Sequence, residues 1–292
     1  MTAQFVLMQL FNGLILGSLY VLLALGLSII FGTLGIINFA HGAFFMLGAY
    51  IAYTITTYLM PSFWVALIGV PIAMTLFGAT CELFLFRRLY ALPPLYIMLL
   101  TFGLMLVLQD TVRMIYGSMG VPFRTPGSLT GAVNLGFMYY PTYRLFLIIV
   151  TAVCSLGVWL FLSRTKVGAM IRAGTDNSQM VDALGINISR IITLVVALGT
   201  GLAGLAGVLA APIQNVRYLM GMDFLIDCFV VVVIGGMGSI GGSILGGLIV
   251  GEIIAVGVMV WPPMAHTLIY LFMAVFLLTR PRGLFGREAF HD

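Results

Sequence analysis

A bundle of eight or nine transmembrane helices, all α, is predicted by three observations on this 292-residue chain. It is 62% apolar and 8% charged, where soluble domains carry about 25% charged residues. No Asp, Glu, Lys or Arg occurs from Met1 through Cys81, the first being Glu82. Most cations stand in short segments between apolar runs, the placement that orients a protein in a bilayer. As helix, the uncharged start would measure about 120 Å against a hydrocarbon layer of about 30 Å, so it must turn back, and three crossings fit.

The apolar windows place spans near residues 5–31, 43–60, 62–86, 93–116, 143–163, 191–212 and 264–279. The first is too long, and lacks the cationic flank, for a secretory signal, so it reads as a retained span. Residues 224–260 exceed one span and break at Gly235-Gly236-Met237-Gly238-Ser239-Ile240-Gly241-Gly242, which predicts a broken or re-entrant helix pair, a short arm and a full one. Arg87 and Arg88, then Arg164, Lys166, Arg172 and Arg190, then Arg280, Arg282 and Arg287 mark inside segments. Arg113, Arg124, Arg144 and Arg217 depart from that rule. The C-terminus is expected in the cytoplasm, and the N-terminus outside if the first three crossings are counted correctly. A turn near Asn38 that re-enters the bilayer would reverse the latter.

Composition also excludes functions. Cys81, Cys154 and Cys228 sit in apolar runs without ligand-like neighbours, so neither a zinc site nor a disulfide framework is expected. The net charge of +4 comes without a basic stripe carrying aromatics, which argues against a nucleic-acid partner. Lys166 is the only lysine, and its surroundings do not match a phosphate-binding loop. The chain therefore supplies no such ATPase and no bound cofactor is expected on it.

Between the fifth and sixth spans lies a polar stretch, 164–190. It reads as one short helix with Asp176 as N-cap, Gln179 three residues on, and a stop at Gly185-Ile186. Met180, Val181 and Leu184 would form its apolar face, and so short a helix needs something to dock on. Its own bundle, the headgroups and another protein all qualify. Small residues four apart, Gly199, Ala203, Gly207 and Ala211, with Gly242/Gly246 and Gly247/Gly251, mark close helix contacts.

Interrupted helices at corresponding places in two halves of a transporter point to a substrate path. Asn38, His41 and Gly42 form one such place; Gly235, Gly236, Gly238, Ser239, Gly241 and Gly242 form the other. A packing histidine and a tight turn are the plainer readings of the same residues. An unpaired charge in a span costs about 2.5–3.5 kcal/mol. Asp110 and Arg113, three apart, can pair on one helix face; Glu252 has no local partner; Glu82, near Arg87 and Arg88, reads as a solvated boundary residue.

Three segments together carry a family resemblance: Gly35-Ile-Ile-Asn38-Phe-Ala-His41-Gly42 with Met46-Leu-Gly48-Ala-Tyr50, Asp182-Ala-Leu-Gly185-Ile-Asn187, and Ile234 to Gly242. Over essentially its whole length the chain resembles the inner-membrane permease subunits of branched-chain amino-acid ABC importers, the LivH type. The resemblance implies a single permease domain over 1–292 in a bacterial inner membrane, passing Leu, Ile or Val inward by alternating access. It implies that 164–190 is the cytoplasmic coupling loop, in which Arg172, Asp176, Asp182, Ala183, Leu184, Gly185, Ile186, Asn187 and Arg190 meet an ATP-hydrolysing subunit. Further implied partners are a related permease chain or a second copy, two ATP-binding subunits holding ATP and magnesium, and an external solute-binding protein. Related permeases serve urea and short amides with similar motifs. An ion-coupled carrier or channel using Glu252 and Asp110 is the competing class. An intramembrane hydrolase using Ser239 and His266 lacks the expected signature around its serine.

Overall fold

The computed structural model describes residues 3–286 apart from 135 and 137. Arg287, counted above among the tail cations, lies outside the described residues. The helices are α1 (Ala3–Leu34), α2 (Ala40–Thr54), α3 (Phe63–Phe84), α4 (Pro94–Tyr116), α5 (Thr142–Arg164), α6 (Lys166–Asp176), α7 (Ser178–Ala183), α8 (Ile188–Ala210), α9 (Met220–Gly235), α10 (Ile240–Val260) and α11 (Ala265–Thr279). A π-helical turn, Ile55–Leu59, prolongs α2, and a 3-10 turn, Phe86–Leu89, follows α3. Ala132–Asn134 and Tyr139–Pro141 form a small antiparallel hairpin between α4 and α5. Among the described residues, eight helical segments are long and apolar enough to cross a membrane. The remaining apolar helix, α9, has 16 residues and reaches about 24 Å, short of that length.

A helix apolar on every side must be covered all round by lipid or by other helices. For α1 it is helices: 83% of its most apolar window is buried, the largest share of any span. Gly35, at φ +65, stops α1, with its N–H on the Phe31 carbonyl at 2.7 Å, a left-handed cap suited to glycine.

Small residues then set the spacing of the bundle, because helices in lipid associate where backbones approach closely. Gly17 faces the Gly247 backbone and Gly251 faces Gly13 and Gly17, which locks α1 to α10. On α8, Gly199 meets Gly26 and Ile30 of α1, Gly201 and Gly204 meet Thr75 and Met74 of α3, and Gly207 meets Phe45 and Ala49 of α2. Of the predicted row, Gly199 thus serves α1 and Gly207 serves α2, while the contacts to α3 come from Gly201 and Gly204, outside that row. Pro71 interrupts α3 without ending it.

The bundle has two ends. At the end carrying α6 and α7, called the loop face below, Gly32 of α1 lies near Thr175 and Gly238, and Arg87 reaches the Ser189 carbonyl. At the opposite face the Tyr50 hydroxyl donates to the Val216 carbonyl, the Tyr143 hydroxyl to that of Leu209, and Val121 bridges to Val216.

Candidate functional site

The loop-face segment is two helices where the sequence reading expected one. Thr165 caps α6 by accepting from the Gly168 N–H at 2.9 Å, Asn177 caps α7 through the Met180 N–H at 2.9 Å, and Asn187 caps α8 through the Arg190 N–H at 3.1 Å. Asp176 is not the cap: it ends α6, and the extended backbone of Asn177 turns the chain and provides the acceptor one residue later. The side chain of Gln179 lies outside the described residues. Gly185, at φ +81, closes α7, and the Ile186 N–H reaches back to the Val181 carbonyl at 3.3 Å, a Schellman stop.

The apolar face of α7 is also divided. Val181 is buried with Leu162, Ile171, Ile191 and Val195, which fastens α7 to α5, α6 and α8. Met180 and Leu184 point the other way and are 60% and 72% exposed. Arg172, Asp176, Asp182, Ala183, Gly185 and Arg190 are exposed beside them, Asn187 is exposed, and Ile186 is half-buried under the turn.

Next to this segment Glu82 departs from expectation: it is fully buried. Arg87 donates to both of its oxygens, Nε to Oε1 at 3.1 Å and Nη2 to Oε2 at 3.0 Å, and the Thr193 hydroxyl donates to Oε2 at 2.7 Å. Charge-assisted, two-pronged contacts of this kind offset the cost of burying a carboxylate. The group ties the end of α3 to the first turns of α8, immediately after the loop. Burial, with Glu82 adding to it, pushes the nearby Tyr90 hydroxyl up.

The two helix breaks touch α1 at different depths and are not brought together. The Asn38 side chain accepts from the Ala40 N–H at 3.0 Å, and His41, fully buried, lies 3.0 Å by Nε2 from the Leu23 carbonyl. Leu23 is eleven residues from the end of α1, so α2 begins about 16 Å inside the bundle. A side chain on Gly42 would collide with the Gly221 carbonyl of α9. The second break sits at the loop face. Gly236 and Gly238 take positive φ, the Ser239 hydroxyl caps α10 through the Gly242 N–H at 3.1 Å, and Ser28 reaches the Ser239 carbonyl. Gly235 packs on Gly242, and Gly241 faces open space. Residues beyond α11 fill this break: Leu284 and Phe285 donate to the carbonyls of Ile234 and Gly235 at 2.8 and 3.1 Å.

Among the charges inside spans, Asp110 and Arg113 do pair, at 3.4 Å, and both are at least half exposed. Glu252 faces Gly13 of α1, with Oε2 buried and without a hydrogen-bond partner. The sequence reading missed Asp227, in the middle of α9. It is buried, accepts from the Tyr20 hydroxyl at 2.6 Å and the Tyr270 hydroxyl at 3.1 Å, and lies 3.6 Å from His266 Nδ1. An acid within an apolar run was the available signal. Ser239 and His266 therefore have separate partners and form no dyad.

Residues 9–278 match the family described as the permease component of branched-chain amino-acid transport systems. The chain is 33% identical to the high-affinity branched-chain amino acid transport system permease protein BraD of Pseudomonas aeruginosa, over 96% of both chains. It is 30% identical to LivH of Escherichia coli K12, a permease protein of the same description, over 98% of both. It is 26% identical to the LivM permease protein of E. coli, over 76% of this chain and 57% of that one. No solved structure gives a significant match. A family match over nearly the whole chain and relatives of equal length agree with the multi-span helical bundle: this chain belongs to the permease-component family of branched-chain amino-acid transport systems.

Proposed function

We propose that this chain, as one domain, is the translocation subunit of an ATP-driven importer for Leu, Ile and Val in a bacterial inner membrane. The observation that carries the reading is α7: a helix fixed inward by Val181 that holds Met180 and Leu184 outward, bare, on a polar end of the bundle. A short helix has little stability of its own, and this one is braced by two capped neighbours rather than by its exposed residues. The exposed pair is then free to enter a cleft on another protein. In this reading that protein is a separate ATP-hydrolysing subunit, since this permease component has no phosphate-binding loop around its single lysine, Lys166.

In this reading the loop face is cytoplasmic, together with the C-terminus, because Arg87, Arg88, Arg164, Lys166, Arg172 and Arg190 stand there. ATP and magnesium bind the partner subunits. The Glu82–Arg87–Thr193 group carries motion of the loop into α3 and α8. The chain pairs with a related permease chain, a reading supported by its similarity to two different permease proteins of one organism, LivH and LivM; a solute-binding protein delivers substrate from outside. Asn38 to Gly42 and Gly235 to Gly242 border the path as glycine contacts at which α2, α9 and α10 shift past neighbours.

Purification of the tagged chain from its native membrane, followed by mass identification of bound chains and solutes, tests the reading. Two ATPase copies and a second permease chain are the expected company; a chain that transports substrate with no ATPase bound would overturn it.

A further inference from the structure

Asp227 stands seven residues from the start of α9 and eight from its end, so it lies about 10–12 Å from either end of that helix. A charge at such a position is costly unless it is paired or borders a wet path. Its partners do not exhaust it. Oδ1 accepts from Tyr270 and Oδ2 from Tyr20, one hydrogen bond each, while each carboxylate oxygen has two acceptor positions. The remaining capacity on Oδ2 faces His266, whose Nδ1 stands off at 3.6 Å, and whose side chain is 65% exposed on the flank of the bundle. His266 is thus the door between a buried acid and the outside of the bundle.

That flank is polar beyond these two residues. Asp223, one turn earlier on α9, is 58% exposed and pairs with Arg217 at 3.4 Å. On α4, which meets α9 around Phe39, Asp110 and Arg113 are also exposed. Exposed charge is unfavourable against hydrocarbon, and these groups stand among exposed apolar residues of the same helices, Met222, Ile226 and Leu271. Two of the three groups around Asp227 belong to α11, the least buried span at 11%, so a displacement of that one helix uncovers the carboxylate. Glu252 offers no comparable opening, since it faces the close-packed seam with Gly13.

We propose that Asp227 is the ammonium-binding carboxylate of the translocation path, receiving the charged amino group of an amino-acid substrate in the place that His266 occupies here. An α-amino acid carries three N–H donors and a full positive charge on that group, and a carboxylate already oriented by two tyrosine hydroxyls gives it short, charge-assisted bonds. Urea and simple amides bring no such charge, so the site selects amino acids over them. This rests on the importer reading above.

The test uses the purified importer in proteoliposomes, with leucine-loaded binding protein, reading leucine uptake and ATP hydrolysis together. Asp227→Asn is expected to cut uptake about thirtyfold while ATP hydrolysis continues. His266→Lys, which places a captive ammonium beside Asp227, is expected to cut uptake about tenfold more than His266→Gln does. Because His266 is largely exposed, both of its variants keep the test alive should Asp227→Asn misfold. Parental uptake by an assembled Asp227→Asn, or equal uptake by the two His266 variants, overturns the subsite. A parent importer that neither hydrolyses ATP nor takes up leucine overturns the importer reading instead.

Discussion

The outer sides of α4, α9 and α11 and the outer sides of α3 and α5 present different chemistry. The first shows Asp110, Arg113, Asp223 and His266 outward. The second shows Ile72, Leu76, Ile149, Val153 and Leu156. Between α3 and α5 is a cavity of about 280 Å³, lined by Pro71, Thr75, Gly157, Phe161, Leu198 and Leu205 among others. Exposure alone would treat the two flanks alike; the chemistry of what is exposed separates them. The apolar one suits lipid, and the polar one suits a second permease chain and a wet passage between them.

The largest expected effect probes that contrast directly. Leu156→Lys on the apolar flank should lower membrane insertion by about 3 kcal/mol, and Ile226→Lys on α9 by less than half of that. A glycosylation-based insertion assay on each variant reads the difference, and equal costs would erase the distinction between flanks.

Glu82→Ala comes next. It strands Arg87 beside Thr193, and because Arg87 is 36% exposed the loss should be about 2–3 kcal/mol, below that of a fully buried pair. Thermal unfolding in detergent measures it, and an unshifted transition would remove the clamp from the account. The smallest effect on stability is expected for Gly185→Val, where a branched side chain must take φ +81. That costs about 1–2 kcal/mol locally and should misplace Leu184, leaving ATP hydrolysis running with uptake lost. Normal coupling in this variant would mean that α7 does not transmit the stroke.

The contrast between flanks also shows what the sequence could carry. Apolar length and cation placement located the spans, including the pair α9 and α10, because hydrocarbon imposes one rule on every crossing. Local chemistry was less decisive: Asp176 and Asn177 are both good caps, and the turn between α6 and α7 chose the second. The burial of Glu82 was hidden because Arg87, five residues on, would sit well round an ideal helix. The 3-10 turn after Leu85 folds it back. Filling of the Gly235–Gly238 break by Leu284 and Phe285 comes from chain some fifty residues away, beyond any local pattern. Asp227 was legible as an acid among apolar residues, but its tyrosines lie on α1 and α11 and only the fold assembles them.

Leu184 offers the most direct measurement. With Cys81, Cys154 and Cys228 replaced, a single Leu184→Cys is treated with a membrane-impermeant maleimide in intact cells and in inside-out vesicles. Labelling confined to the vesicles, and blocked when the ATPase subunit is bound, is the outcome expected of a cytoplasmic grip. Reaction in intact cells would put α7 on the exterior and leave the importer without its handle.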